Sequence, residues 1–379
     1  MNYSAILGKS LKVRGDRLTV GKVLVLTNSS GGLYDFRNEF IEALLKDNQV
    51  FISVPDDVKT EELSKEGCQI IKTPINRRGV NPIEDLKLYR AYRSMMKELQ
   101  PDLVVTYTIK PNIYGGLCAG MRHIPCIATV TGLGSAFNRK GPLRWVSIFL
   151  YKIGLHKDVC VFFQNAENRE LFCKYGIRGR KDRLVTGSGV NLNHHKYKPY
   201  PKSGETRFLY IGRVMKEKGI EEYLEAADRL HSDTVFFDIM GYCDEDYQNT
   251  LDELEKRGVI RQLGFQKEVR PYLEAASAVV NPSYHEGMSN VLMEAAATGR
   301  PVIASNISGC QEIFEEGETG FGFAPRNAKA LVLALGKFLK LTYEERARMG
   351  WEARTKMERE FDRTLVTEAY MDEVKKILG

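Results

Sequence analysis

A chain of 379 residues is too long for one ordinary hydrophobic core, so two domains are expected. With 43% hydrophobic and 27% charged residues it reads as globular, and the modest formal charge of +6 suits anionic small molecules, an acidic membrane surface or nucleic acid alike and alone excludes none of them. Seven scattered cysteines, with no Cys-x-x-Cys pair, argue against a disulfide framework or a zinc site.

The first twenty residues hold basic side chains but no long apolar run, and they read as no signal peptide. No stretch reaches eighteen consecutive apolar residues. Strand-length apolar runs then recur at 22–28, 50–55, 68–74, 102–108, 126–132, 158–164 and 183–189. Helix-length segments such as FRNEFIEALLKD and PIEDLKLYRAYRSMMKELQ separate most of them. Near-continuous apolar strands alternating with helices predict a parallel sheet covered on both faces. Around 195–205 the chain turns polar and proline-bearing, NHHKYKPYPKSGET, which marks a linker. The alternation restarts with strands at 207–213, 235–241, 259–265, 278–283 and 301–306, and the last fifty or so residues read as helical. The expectation is α/β: two doubly wound, Rossmann-like domains in series, with ligands beyond the carboxyl ends of the strands and a site in an interdomain cleft.

Two stretches carry chemistry. In SYHEGMSNVLMEAAATG (283–299), Glu286 lies in a loop after a strand, Gly287 permits close backbone approach, and Glu294 lies inside the following helix. A helix start there is an anion site, and carboxylates on either side suit sugar hydroxyls. Glu294 stands among Val291, Leu292, Met293, Ala295 and Ala296, where a carboxylate needs partners. In YIGRVMKEKGI (210–220), Gly212, Arg213 and Lys218 follow a strand, and the two cations suit a diphosphate. Taken singly, a lone Arg and Lys are ordinary solvated charges. Asp244-Glu245-Asp246 matches a metal-binding D-x-D but reads instead as an acidic helix start, so no metal and no cofactor are expected.

GRVMKEKG, followed by E-x7-E in SYHEGMSNVLMEAAATGRPVIASNISGCQEI and then ETGFGF, resembles the retaining glycosyltransferases of family 4, with the GT-B fold of two facing Rossmann-like domains. The resemblance implies an acceptor-binding domain over 1–197, a nucleotide-sugar-binding domain over 198–361, and a last helix, 362–379, that crosses back onto the first. It implies that Arg213 and Lys218 bind the donor diphosphate, that Glu286 contacts the donor sugar and that Glu294 holds the ribose. Gly287, Met288, Ser289 and Asn290 would assist, and the nucleobase would pass Gly264 and Phe265. Arg213, Lys218 and Glu286 are the expected catalytic groups.

In the first half, NSSGGLYDFRNEF, INRRGVNP, YTIKPNIYGG and TVTGLGSAF are similar to bacterial enzymes that extend lipid-linked oligosaccharides, among them α-1,3-N-acetylgalactosaminyltransferases acting on undecaprenyl-diphosphate acceptors. The likeness implies a UDP-linked donor, a lipid-linked saccharide acceptor, and a cytoplasmic protein peripheral on the inner face of the bacterial membrane. Many relatives carry His where this chain has Ile109, which leaves Lys110 or Asn112 to substitute, or a different acceptor. Arg37, Arg77, Arg78 and Lys110 lie near strand ends and suit a lipid diphosphate, and Gly31-Gly32 reads as a close-approach loop. The segment 139–157 mixes Arg139, Lys140, Arg144, Lys152 and Lys157 with Trp145, Phe149 and Tyr151; it fits an anionic membrane surface, and equally core packing. A sugar-nucleotide epimerase and a non-catalytic partner subunit stay open. An NAD-dependent oxidoreductase is disfavoured, since no full Gly-x-Gly-x-x-Gly occurs and TGLGSAF places Phe137 at the third glycine.

Overall fold

A computed structural model describes residues 21–76, 81–132 and 141–379. By its internal contacts the chain divides into Met1–Ser188 with Val366–Gly379, and Gly189–Leu365. The first division falls earlier than the expected position after residue 197. Val190 already bridges to Asp362, its N–H donating to the Phe361 carbonyl at 2.8 Å, and the Lys198 N–H bonds the Thr298 carbonyl at 3.1 Å.

The first unit is a seven-stranded, all-parallel sheet. Its strands are β1 (Gly21–Leu26), β2 (Asn48–Val54), β3 (Gln69–Lys72), β4 (Leu103–Tyr107), β5 (Cys126–Val130), β6 (Cys160–Phe163) and β7 (Asp182–Leu184), in the order β3-β2-β1-β4-β5-β6-β7. Alternate residues of β1 feed opposite faces: Val23 and Val25 join a cluster with Phe40, Ile41 and Leu44, and Leu24 and Leu26 one with Tyr92, Met95 and Met96. The covering helices have sequence reasons. Ser29 caps helix Ser30–Leu45 by accepting the Gly32 N–H, and Asn81 caps helix Pro82–Leu99, whose Pro82 suits the first turn. Gly31 and Gly32 are therefore the first turn of a helix and not the expected loop. The C-terminal helix Arg363–Leu378 brings Tyr370 into this core, stacked on Phe162 with centroids 4.0 Å apart.

The second unit is a six-stranded parallel sheet of β8 (Thr206–Ile211), β9 (Val235–Met240), β10 (Arg261–Gly264), β11 (Ala278–Asn281), β12 (Val302–Ser305) and β13 (Gly320–Phe323), in the order β10-β9-β8-β11-β12-β13. Strand β13 was not expected. Its GFGF is half glycine, and only pairing with β12 makes it a strand. The acids 244–246 do not begin a helix, which runs Gln248–Lys256. In each unit the strand order reverses between the first strand and the fourth, β1/β4 and β8/β11, and such switch points are where doubly wound sheets take ligands.

Candidate functional site

The second unit's switch point gathers the charged residues. Beyond β8 lie Gly212 and Arg213, then a 3-10 turn, Lys216–Lys218, and helix Ile220–Leu230. Beyond β11 lies the loop 282–289, then helix Asn290–Ala297. Two features press these segments together. Gly219, at φ 71°, lies so close to the Pro282 carbonyl that any Cβ would collide with it. The Tyr284 N–H donates to the Glu217 carbonyl at 2.9 Å, and the Tyr284 hydroxyl donates to both Glu222 oxygens at 2.8 and 3.0 Å. Lys218 Nζ consequently meets Glu286 Oε1 at 2.7 Å, with side chains 27% and 15% exposed.

Arg213 is held from the other side. Gly241, at φ 147°, abuts the Gly212 carbonyl, and the chain beyond β9 follows the turn, Asp244 N–H donating to the Val214 carbonyl at 3.1 Å. Arg213 Nη1 then donates to Asp244 Oδ2 at 2.6 Å, and the Tyr210 hydroxyl to the Arg213 carbonyl at 2.7 Å. Glu245 accepts the Lys216 N–H at 2.8 Å. Asp244 and Glu245 thus serve the basic turn. Both cations carry an anionic partner.

The remaining donor-side residues divide. Glu294 is half-buried on its helix. Ser289 is that helix's N-cap; its hydroxyl accepts from Leu292 N and Asn281 Nδ2, and its N–H donates to the Gly309 carbonyl. Met288 is buried with Leu292 and Ile313 in the core. Ser289 and Met288 are therefore structural at their side chains, which leaves only their backbone groups for a ligand, while Gly287 and Asn290 remain partly exposed. Gly264, at φ 63°, accepts the Gly241 N–H, and Phe265 beside it is 65% exposed. Tyr242, which the sequence did not single out, is half-exposed, its ring 6.4 Å from Phe265. Two exposed aromatics at strand ends form a surface for a planar ring.

The acceptor-side expectations fare differently. Arg37 is buried, donates to the Gly187 carbonyl at 3.4 Å and lies over the rings of Tyr107 and Tyr370. Asn112 is fully buried, accepting from Thr106 Oγ1 at 2.7 Å and donating to the Thr129 carbonyl at 2.8 Å. Each satisfies polar groups inside the unit, where a ligand contact was expected. Lys110 Nζ pairs with Asp85 at 2.7 Å, side chains 14% and 16% exposed, and Asp85 also accepts from the Tyr114 hydroxyl. Arg77, Arg78, Arg139, Lys140 and Phe137 lie outside the described residues.

Helix Pro142–Leu155 has two unlike faces. Ile148, Tyr151 and Leu155 are buried, while Trp145, Val146, Phe149 and Ile153 form an exposed stripe flanked by Arg144, Lys152 and Lys157. Among the described residues no helix is long and apolar enough to cross a membrane.

Comparison with known proteins follows the same halves. Residues 194–356 match the family model "Glycosyl transferases group 1" and residues 22–165 the model "Glycosyl transferase 4-like". The chain is 27% identical over 367 residues to the N,N'-diacetylbacillosaminyl-diphospho-undecaprenol alpha-1,3-N-acetylgalactosaminyltransferase of Campylobacter jejuni, covering 91% of this chain and 96% of that one. It is 27% identical over 259 residues to the UDP-Gal:alpha-D-GlcNAc-diphosphoundecaprenol alpha-1,3-galactosyltransferase of Escherichia coli, covering 61% and 65%. In fold it matches a glycosyltransferase from Rickettsia africae at TM-score 0.75, 20% identity, over 95% and 99% of the chains. It also matches Anabaena Alr3699/HepE in complex with UDP at TM-score 0.77, 17% identity, over 94% and 100%.

Proposed function

The chain belongs to the family 4 glycosyltransferases of GT-B fold, and we propose that it moves a sugar from a UDP-linked donor, with retention, to a saccharide carried on a lipid diphosphate. The donor half of this reading rests on one observation. Arg213 and Lys218, held at the β8/β11 switch point beside a helix start, are cations waiting on carboxylates. A diphosphate carries more charge than either carboxylate, and displaces Asp244 from Arg213 and Glu286 from Lys218. Glu286, released, accepts from hydroxyls of the donor sugar; Glu294 takes the ribose; Phe265 and Tyr242 flank the base.

In the reaction the bond from the anomeric carbon to the leaving phosphate oxygen breaks, and one from that carbon to the acceptor oxygen forms. Negative charge grows on the nucleoside diphosphate, where Arg213, Lys218 and the helix start stabilise it. The acceptor proton passes to the departing phosphate, so no separate protein base is needed. No step calls for a metal, since the protein's own cations neutralise the phosphates.

The acceptor half is carried by the two relatives, whose names specify undecaprenol-diphosphate-linked sugars. The stripe on helix Pro142–Leu155 supports it: apolar side chains among cations suit the boundary of an anionic membrane. Calorimetric titration with UDP tests the donor site. Binding that weakens in Arg213→Ala and Glu294→Ala supports it, and unchanged binding in both contradicts it. Co-sedimentation with vesicles containing anionic lipid, reduced in Phe149→Glu, tests the membrane face.

A further inference from the structure

Glu222, in the first turn of helix Ile220–Leu230, is only 7% exposed, and among the described residues it pairs with no cation. The helix start offsets part of the cost of burying such a charge, and hydrogen bonds must offset the rest. Both of its oxygens lie on one partner, the Tyr284 hydroxyl, at 2.8 and 3.0 Å. Tyr284 is itself 6% exposed. Arg326, beyond β13, stands over the Tyr284 ring at 4.3 Å, and it does so from a left-handed φ of 58°, uncommon for a residue other than glycine. A cation over the ring face draws on its electron density and makes the hydroxyl a stronger donor. Segments that follow β8, β11 and β13 thus converge on one side chain, and two of them accept a cost in doing so: a buried carboxylate and a strained backbone.

Tyr284 stands two residues before Glu286 in the loop 282–289. In the free protein Lys218 holds Glu286 at 2.7 Å. That tie is the one a donor diphosphate displaces, so it cannot fix the carboxylate during the reaction. The Tyr284 tie is of another kind. Its donor is a neutral hydroxyl, both partners are buried, and an anion in the site does not compete for it. At the far end of the loop the Ser289 N–H is held by the Gly309 carbonyl at 2.8 Å, which leaves Tyr284 as the side-chain anchor of the near end. We infer that Tyr284 is a positioning residue: its hydroxyl, latched on Glu222, keeps the loop in place once Lys218 lets go, so that Glu286 meets the donor sugar. This rests on the transferase reading and adds to it what holds the site in the donor-bound state.

The test uses the full chain, a UDP-sugar that it turns over, an undecaprenyl-diphosphate-linked N-acetylhexosamine as acceptor probe, and UDP alone for calorimetry. Tyr284→Phe keeps the ring and the backbone bond to Glu217 and removes only the hydroxyl. It should lower kcat by about tenfold to a hundredfold, the scale for a misplaced group near the reacting atoms. The Kd for UDP, which has no sugar for Glu286 to meet, should stay within about twofold. Tm should fall, because the Glu222 carboxylate loses its donor. Glu222→Gln keeps an acceptor for the hydroxyl and should hold kcat within about threefold. Tyr284→Phe combined with Glu222→Leu makes both partners apolar; it should regain Tm and keep the low kcat. An unchanged kcat in Tyr284→Phe overturns the proposal and leaves the transferase reading standing. A combined variant that regains kcat along with Tm shows a role in stability only, and also overturns it. So does UDP binding that weakens as far as kcat falls, which marks a general loosening of the site. A wild type that binds UDP but turns over no UDP-sugar with this acceptor removes the transferase reading, and the proposal with it.

Discussion

The two sheets share one strand order and differ at their switch points. At β8/β11 the loops present charge: Arg213, Lys218, Glu286 and Asp244 meet as partly exposed pairs. At β1/β4 the loops present neutral polarity, Asn28, Thr108 and Thr131, and the nearby cations are committed elsewhere, Arg37 within the core and Lys110 to Asp85. The same architecture thus carries unlike linings. Arg37 bonds a core carbonyl, which no ligand displaces, whereas Arg213, Lys218 and also Lys110 pair with carboxylates, which an anion can replace.

The comparison breaks most visibly if the paired cations prove dispensable. Arg213→Ala should lower kcat by about 10²- to 10³-fold, the scale for removing one donor from developing charge, in steady-state assays of UDP release. On the other side, Asn112→Ala should cost about 2–4 kcal/mol in denaturant melts, since it strands the Thr129 carbonyl and the Thr106 hydroxyl in the core. The acceptor KM of its folded fraction should stay unchanged; a selective rise would return Asn112 to the site. A smaller effect sharpens the idea of displaceable partners. Asp244→Asn should tighten UDP binding by about three- to fivefold, because a part-exposed pair is worth up to about 1 kcal/mol and UDP would no longer compete with it. Weaker binding would make Asp244 a support for Arg213 and not its competitor.

The first unit also carries a pH signature. Burial of Glu373 by itself raises its pKa, but ion pairs with Lys181 and Lys376 outweigh that and hold it down to about 2, from 4.5. A depressed folded-state pKa stabilises above the unfolded value, so this contribution is full above about pH 4.5 and is lost as pH falls towards 2. Glu373→Gln should flatten the loss of Tm across that window.

Much of the architecture was legible because near-continuous apolar runs bounded by turns have few other uses, and each expected run overlaps a strand among the described residues. The signal is weak at β7, DRL, and β10, RQLG, and it failed at β13, whose GFGF is half glycine. Gly219 and Gly241 explain how Arg213 and Lys218, read as cations suited to a diphosphate, become fixed next to acids. Arg37 was misplaced although a signal existed: it shares helical spacing with Leu33, Phe40, Ile41 and Leu44, all buried. The left-handed φ of 73° at Thr108 could not be foreseen, because backbone strain at a threonine leaves no trace in spacing.

The central claim is transfer from a nucleotide-sugar to a lipid-linked acceptor. Its most direct test is nucleotide release from a panel of UDP- and GDP-sugars, with and without an undecaprenyl-diphosphate-linked amino sugar. The account predicts UDP release only when donor and acceptor are both present, lowered by about 10²- to 10³-fold in Arg213→Ala. Silence across the panel from a protein that is folded, or isomerisation of a donor without any acceptor, would contradict it.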